Sequence, residues 1–209
     1  MKVAAVIPAY NEEKTIANVV SVLQSSPCID EIIVVSDGST DNTAAIAAGL
    51  GACVVILPEN QGKGGAMLAG VKQTDADFIM FVDADLIGLR QDHIESLLAP
   101  ISNGEVAATL GVFKKGRVTT DLAQKIAPNL SGQRVIKTSL LDLVRDMDIS
   151  RFGVELALNR LLEEHNVKWT TVELPELSHV MKEEKLGLWK GILARMKMYK
   201  EIITYYIKY

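Results

Sequence analysis

The first part of the chain alternates between short apolar runs and segments in which apolar residues recur with helical spacing. The apolar runs cover residues 3–8, 31–36, 53–57 and 78–82, and their β-branched and aromatic members indicate buried strands. The first segment between them carries apolar residues at the helical period: Ile16, Val19, Val20 and Leu23. This regular alternation predicts a doubly wound α/β sheet, mostly parallel, with right-handed crossovers.

The same patterns predict further elements along the chain. Asn11 is a good N-cap for the first helix, and further helices are predicted over 43–50, from about 62 to 71, and over 92–98. A strand is expected over 106–112, a helix-like apolar segment from 135 to 144, and a helix that opens at 151–155. Residues 169–174 read as the last strand, and residues 186–206 as an amphipathic helix.

Polar clusters follow three of the predicted strands at the point where each strand ends. They are Tyr10-Asn11-Glu12, Asp37-Gly38 and Asp83-Ala84-Asp85. Ligands of doubly wound sheets bind beyond the carboxyl ends of the strands. Two acids at the end of a buried strand are costly unless a cation offsets their charge, and Mg²⁺ typically takes one or two carboxylates and substrate phosphates. A solvated turn that caps the next helix is the alternative for Asp83 and Asp85. Asp37 is not needed to cap the following helix, so for this residue a ligand role is at least as plausible as a purely structural one.

Three other features are candidates for anion or metal binding. The glycine-rich turn around Lys63 opens a helix and suits a phosphate, although a surface turn with a solvated lysine explains it equally well. Gly116-Arg117 lies in a basic run that suits a phosphate or carboxylate, and the usual reading of such a run is a solvated loop. His179 is, without other context, more often structural than a metal ligand.

Composition and charge narrow the class of protein. With 209 residues, the chain is long enough for one domain with a sizeable core. The net charge of −4 argues against general nucleic-acid binding. Two cysteines without metal spacing suit a reducing cytoplasm, and the sequence shows neither a signal peptide nor an apolar stretch long enough to span a membrane. We therefore expect a cytoplasmic protein.

The C-terminal segment has a different charge balance from the rest. Residues 182–209 contain seven Lys or Arg against three Glu. An amphipathic basic helix packs on its own domain, pairs with a second subunit in a homodimer, or lies on an anionic membrane surface. We favour packing or dimerisation and keep peripheral membrane contact as an alternative.

Four motifs in order resemble glycosyltransferase family 2. They are Pro8-Ala9-Tyr10-Asn11-Glu12-Glu13, Ser36-Asp37-Gly38-Ser39-Thr40-Asp41, Gly62-Lys63-Gly64 and Asp83-Ala84-Asp85. The resemblance implies the glycosyltransferase-A fold, a nucleotide-diphosphate sugar as donor, and Mg²⁺ or Mn²⁺. The second half resembles the glucosyl-3-phosphoglycerate synthase group at Gly116-Arg117-Val118-Thr119, Ser131-Gly132, Gly153-Val154-Glu155 and His179. It departs from that group at Gln133-Arg134, and the chain is shorter than those enzymes usually are.

The resemblance also implies roles for individual residues. Pro8, Tyr10, Glu12 and Asp37 would line the pocket for the nucleobase and ribose, and Asp83, with Ala84 beside it, would approach the ribose. Lys63 would lie near the donor diphosphate, Asp85 and His179 would hold the metal, and Gly132 would border the sugar. Gly116, Arg117 and Thr119 would receive an acceptor phosphate or carboxylate, with Arg134 as a further acceptor contact. Glu155 would face the reacting sugar or the acceptor hydroxyl.

We expect a single glycosyltransferase domain over 1–209, with a nucleotide-sugar half (1–112), an acceptor half (113–181) and the C-terminal helix (182–209). The leading hypothesis is metal-dependent transfer of a hexose, from a UDP-sugar by preference, to a small phosphorylated acceptor such as 3-phosphoglycerate. Both stereochemical outcomes stay open: inversion needs a carboxylate base, for which Glu155 and Asp148 are candidates, whereas the resemblance favours retention. Three alternatives stay open: transfer to polyprenyl phosphate at a membrane surface, a sugar-1-phosphate nucleotidyltransferase, and a non-catalytic nucleotide-sugar binder.

Overall fold

The computed structural model describes residues 1–113, 131–142 and 154–180, and its central feature is a mixed seven-stranded sheet. The strands of this sheet are β1 Val3–Ala9, β2 Glu31–Asp37, β3 Cys53–Leu57, β4 Phe78–Phe81, β6 Ala108–Phe113, β7 Arg134–Lys137 and β8 Trp169–Leu174. Two short strands, β5 Leu86–Ile87 and β9 Ser178–His179, form a separate antiparallel ladder. The helices are α1 Ile16–Gln24, α2 Thr43–Gly49, α3 Gly62–Val71, α4 Gln91–Ser102, α5 Thr138–Leu141 and α6 Val154–Glu164.

The strand order is β3-β2-β1-β4-β7-β6-β8. The first four strands pair in parallel, β7 is antiparallel to both of its neighbours, and β8 is again parallel to β6. The carboxyl ends of β1, β2 and β4 therefore meet at one edge, as the sequence predicted. The prediction of a mixed, mostly parallel α/β sheet with flanking helices is confirmed.

The two faces of the sheet are covered by different helices. Alternate residues of β1 point to opposite faces. Val3, Ala5, Ile7 and Ala9 belong to an apolar cluster with α1 and α4, whereas Ala4 and Val6 belong to a cluster with α3 and α6. Burial on both faces explains why the strand is apolar throughout and does not alternate with polar residues. Helices α3 and α6, which carry two of the candidate site residues, lie on the same face.

Several sequence-based boundaries need correction. Asn11 is not an N-cap, because its φ is 56° and α1 begins only at Ile16. The helix predicted over 92–98 runs from Gln91 to Ser102, past Pro100. The helix-like segment predicted from 135 is wrong at its start, since Arg134–Lys137 is a strand that pairs with β4, and only Thr138–Leu141 is helical. Residues 169–174 are not the last strand, because β9 follows.

Some predictions fall on residues outside the described ranges. They are the basic run with Gly116, Arg117 and Thr119, the start of the helix that opens at 151, and the amphipathic segment 186–206. Within the described residues, no helix combines the length and the apolar character that crossing a membrane requires.

Candidate active site

The loops that follow β1 and β2 are hydrogen-bonded to each other. Asn11 N donates to Ser39 Oγ over 3.1 Å, and Thr40 N donates to Asn11 Oδ1 over 2.8 Å. Asn11 makes these contacts from the left-handed region, which asparagine tolerates better than most residues. The loop that carries Tyr10 and Glu12 therefore lies beside the loop after β2.

Three potential metal ligands meet where β4 ends. Asp83, Asp85 and His179 each offer one oxygen or nitrogen atom, and these atoms lie within 4.8 Å of one another. His179 Nδ1 lies 3.1 Å from Asp85 Oδ1. The β5–β9 ladder pairs Leu86 with His179, so it brings the histidine to the acids across a long sequence separation. Two carboxylates and one imidazole nitrogen form a donor set suited to a divalent cation, and the carboxylates favour Mg²⁺ or Mn²⁺.

Lys63 lies between two carboxylates next to this cluster. Its Nζ is 2.6 Å from Asp83 Oδ1 and 2.6 Å from Glu155 Oε1. Lys63 comes from the first turn of α3 and Glu155 from the first turn of α6, so the two helices on this face of the sheet are joined through the site. Asp83 also accepts a hydrogen bond from Gln133 Nε2 over 2.8 Å. The side chain of Asp83 is therefore fixed from two sides.

Gly132 packs directly against the Lys63–Asp83 pair. A Cβ atom at this position would overlap both carboxylate oxygens of Asp83 and Lys63 Nζ. A glycine is needed here because of this close approach. The structure thus brings Gly132, which was predicted to border the sugar, to the same point as Asp83 and Lys63.

The charges of this cluster shift one another's pKa. Burial disfavours the ammonium of Lys63, but the adjacent Asp83 and Glu155 outweigh burial and raise the Lys63 pKa above its usual value. Burial likewise acts to raise the pKa of Asp83, but the positive charges of Lys63 and His179 outweigh it, so that the pKa is lowered. For His179, burial is outweighed by the hydrogen bond to Asp85 and the charge of Asp83, and the pKa is raised. Lys63 and Asp83 are thus held in their charged forms at neutral pH.

Asp37 is buried at the end of β2, with 3% of its surface exposed. Its two carboxylate oxygens accept hydrogen bonds from Gln61 N over 2.7 Å and Gly62 N over 2.9 Å. It therefore caps α3, the helix that carries Lys63. The sequence analysis considered only α2, the helix that follows β2, and so missed this cap. The predicted contact of Asp37 with a nucleobase stays a prediction.

The other predicted donor contacts lie around this edge. Tyr10 is half exposed, Pro8 and Glu12 are partly buried, and Ala84 is buried. The backbone N–H of Glu12 donates to Thr43 Oγ1 over 2.8 Å, which ties the first loop to the start of α2. These residues border the strand ends from which a ligand would be bound, and their individual roles stay predictions.

Arg134, predicted as an acceptor contact, lies in the core and is 2% exposed. One terminal nitrogen donates to Asn159 Oδ1 over 3.2 Å and the other to Ser131 O over 2.8 Å. Its Nε has no hydrogen-bond partner among the described residues. Burial lowers the pKa of Arg134 to about 10, although Glu155 and Asp83 act against it. In this structure Arg134 links the glycine turn to α6 through these two hydrogen bonds. Its contact with an acceptor stays a prediction.

Two polar residues of the site were not among the predicted site residues, Gln133 and Asn159. Asn159 lies four residues after Glu155, so both share one face of a helix that otherwise buries leucines. A polar pair on the core side of an amphipathic helix is a signal that the sequence does contain. Gln133 had been noted only as a departure from the expected motif, and nothing in the sequence indicates its contact with Asp83.

Most of the chain matches one known protein family. Residues 4–156 match the model of glycosyl transferase family 2. A 4,4'-diaponeurosporenoate glycosyltransferase of Staphylococcus aureus (strain MRSA252) is 41% identical over 99 residues, which cover 44% of this chain and 26% of that protein. The chain thus spans about a quarter of the length of the curated relatives that it matches.

Solved structures of glucosyl-3-phosphoglycerate synthase from Mycobacterium tuberculosis share the fold. The complex with phosphoglyceric acid is 27% identical with a TM-score of 0.73, over 86% of this chain and 72% of that chain. The complex with Mg²⁺ and uridine diphosphate is 27% identical with a TM-score of 0.72, over 93% and 79%. The fold is therefore that of the glycosyltransferase-A enzymes. The family model covers residues 4–156, which is well over half of the 209 residues and includes all of the predicted site residues except His179. The chain therefore belongs to glycosyltransferase family 2.

Proposed function

We propose that this protein is a metal-dependent glycosyltransferase that moves a hexose from a UDP-sugar to a small phosphorylated acceptor such as 3-phosphoglycerate. The observation that carries the proposal is the convergence of Asp83, Asp85 and His179 at the end of β4, directly beside the buried Lys63. The comparison supports the choice of ligands, because the structurally similar synthase has been solved with Mn²⁺, UDP-glucose and phosphoglyceric acid.

Asp85 and His179 are the residues that would hold Mg²⁺ or Mn²⁺, with Asp83 close to both. When bound, the divalent cation would act as a Lewis acid that stabilises the charge developing on the departing diphosphate. Lys63 is suited to the same task, because its neighbours keep it protonated. Its Nζ is held by Asp83 and Glu155, and the donor diphosphate would take over part of that contact.

The donor would be positioned by residues around the strand ends. Pro8, Tyr10, Glu12 and Asp37 would line the pocket for uracil and ribose, and Asp83 would meet the ribose. Gly132 would border the hexose, next to the Lys63–Asp83 pair against which it packs. These assignments follow from the family resemblance and from the positions of the residues at one edge of the sheet.

In the reaction, the bond between the sugar C1 and the β-phosphate oxygen breaks, and a bond from C1 to the acceptor hydroxyl oxygen forms. The acceptor proton passes to the departing diphosphate. Glu155 is already paired with Lys63, which argues against its use as a free base and favours retention of configuration. Gly116, Arg117 and Thr119 would clamp the acceptor phosphate or carboxylate, and Arg134 would be a further acceptor contact.

A second candidate keeps the donor and changes the acceptor. The relative that is 41% identical over 99 residues is named for 4,4'-diaponeurosporenoate, a long apolar molecule, and not for a small water-soluble acceptor. Transfer to an apolar acceptor such as polyprenyl phosphate at a membrane surface is therefore the alternative, and the basic segment at 182–209 is consistent with it.

The test is an acceptor panel with the full chain, UDP-glucose and Mn²⁺, read out as UDP release and as labelled product. The acceptors are 3-phosphoglycerate, polyprenyl phosphate in anionic vesicles, 4,4'-diaponeurosporenoate in the same vesicles, and none. We expect release that depends on 3-phosphoglycerate and is lost in Asp85→Ala. Transfer only to a vesicle-borne acceptor would support the second candidate. UDP binding without transfer to any acceptor would indicate a binding protein, and diphosphate release from UTP and a sugar 1-phosphate a nucleotidyltransferase.

A further inference from the structure

We infer that Gly88, Arg90 and His93 form a brace that positions His179 to bind the metal. These three residues lie between β5 and the first turn of α4, and their contacts converge on the turn that leads into β9. The inference rests on the proposed function, because it concerns the same metal site. The brace residues are positioning residues, since they act on His179 through this turn.

His93 is the buried member of the brace, with 1% of its surface exposed. Its Nε2 lies 2.9 Å from Pro175 O, and its Nδ1 accepts a hydrogen bond from Arg90 N over 3.3 Å. A carbonyl oxygen can only accept, so Nε2 must carry the hydrogen. A single tautomer therefore satisfies both contacts and ties the start of α4 to Pro175.

Arg90 and Gly88 act on the next residue of the turn, Glu176. Arg90 forms an ion pair with Glu176 Oε2 at 2.6 Å, but the side chains are 41% and 79% exposed. An ion pair that exposed contributes little free energy, so it is the weakest contact of the brace. Gly88 has φ +81°, and a Cβ there would lie 2.7 Å from Glu176 O. Glu176 itself has a positive φ of 60°, so the turn needs support from its surroundings.

This turn sets where His179 lies. On one side β8 is fixed by its pairing with β6, and on the other β9 consists of two residues only. A two-residue ladder has little stability of its own. It is supplemented by Val180 N, which donates to Asp85 O over 3.1 Å, and by the ring of Phe113, which packs nearly perpendicular to His179. Leu177 also anchors this segment, because it is buried in the apolar cluster with α1 and α4. The brace adds polar contacts to the two residues before it, three to four residues before the ligand.

The experiment compares His93→Leu with His93→Gln. Leucine fills similar volume without a donor, whereas the glutamine amide can still donate to Pro175 O. The dissociation constant of Mn²⁺ is measured by the electron paramagnetic resonance of free Mn²⁺, and unfolding in urea is followed in parallel. We expect His93→Leu to weaken Mn²⁺ binding about 10-fold, the lower end of the effect of losing a group bonded directly to a metal ligand, because His93 acts through the turn. Much of the affinity should be retained in His93→Gln.

His165→Leu is the matched control, because His165 is exposed beyond the end of α6. It should bind Mn²⁺ as the parent protein does. Gly88→Ala tests the same turn without opening the core and should also weaken Mn²⁺ binding, so the inference stays testable if His93→Leu does not fold. If folded His93→Leu and Gly88→Ala bind Mn²⁺ with unchanged affinity, the brace is structural only and the inference is wrong. If the parent protein binds no Mn²⁺, the proposed function fails and the inference fails with it.

Discussion

Gly132 lies where a single methyl group decides whether the site can form. Its backbone approaches Asp83 and Lys63 so closely that a Cβ would overlap the ion pair. We predict that Gly132→Ala lowers kcat/KM for transfer about 100-fold, because small displacements of positioned groups have effects of that size. The measurement is the rate of UDP release at saturating Mn²⁺.

The matched control for this prediction is Gly49→Ala. Gly49 ends α2, and a Cβ there meets nothing within 4 Å. This substitution should leave activity unchanged and stabilise the fold by up to about 1 kcal/mol, since alanine loses less backbone entropy on folding. Equal activity of the two variants would mean that the backbone at Gly132 moves aside freely and that the close packing has no role in transfer.

Lys63 forms two ion pairs in the fold, and we also propose that it acts on the donor diphosphate, so the two roles need to be separated. In Lys63→Met, Asp83 and Glu155 lose the cation that both contact, so we expect a loss of about 3–5 kcal/mol in the free energy of unfolding and a large loss of kcat. The double variant Lys63→Met/Glu155→Gln removes one of the stranded charges. It should regain part of the stability in urea unfolding but none of the activity. Recovery of activity along with stability would show that Lys63 acts only as a counter-ion.

Among the elements, the link between the loop before α1 and the start of α2 depends on Asp41. Its Oδ1 accepts from Thr43 N over 3.0 Å and its Oδ2 from Glu13 N over 3.1 Å. Burial acts to raise the pKa of Asp41, but these hydrogen bonds and that of the Thr43 hydroxyl outweigh it, and the pKa is lowered. Because the folded pKa lies below the unfolded one, Asp41 contributes stability above the unfolded value of about 3.9, and this is lost as pH falls through the folded pKa.

We predict that Asp41→Asn lowers the free energy of unfolding at pH 7 by about 1 kcal/mol, and that its difference from the parent protein shrinks toward zero below pH of about 4. Urea unfolding across this pH range is the measurement. A difference that is constant with pH would mean that the carboxylate charge is not what joins the two segments.

The strands and helices also show how much of the fold can be predicted from the sequence. The strands β1 to β4 are apolar on both faces and separated by helical periods, so local pattern is enough to find them. Strand β7 is short, and its Val135 and Ile136 are followed at helical spacing by Leu140 and Leu141 of α5, so in sequence the two elements resemble one helix. What makes it a strand is pairing with Phe78–Phe81, more than fifty residues earlier, and no local pattern reports that contact.

The candidate site likewise has residues that the sequence identifies and contacts that only the structure reveals. Its acids could be found because a buried strand that ends in Asp83 and Asp85 needs a physical reason. The cap that Asp37 provides to α3 and the contact of Gln133 with Asp83 join residues 24 or more positions apart, and only the folded chain reveals them. His179 was identified through the family resemblance, and its approach to Asp85 depends on the β5–β9 ladder, which the sequence did not predict.

At the scale of the whole molecule, the site is assembled from five separate stretches of chain. Lys63, Asp83, Gly132, Glu155 and His179 come from α3, the end of β4, the turn before β7, α6 and β9. None of these stretches holds the site alone, so a ligand that contacts several of them stabilises the folded chain as a unit. Binding of the metal and of the nucleotide should therefore be coupled, each raising the affinity for the other.

We predict that UDP raises the melting temperature by about 5–10 °C at concentrations near 100 times its dissociation constant, and does so only with Mn²⁺ or Mg²⁺ present. Reciprocally, UDP should tighten Mn²⁺ binding by the same factor by which Mn²⁺ tightens UDP binding, because linkage is symmetric. Differential scanning fluorimetry with UDP in Mn²⁺ or in EDTA gives the first quantity and calorimetric titration the second. Asp85→Ala should remove the coupling while the fold persists, since Asp85 is only partly buried. An equal UDP shift in EDTA would mean that the nucleotide binds without the metal, and the acids at the end of β4 would then need another explanation.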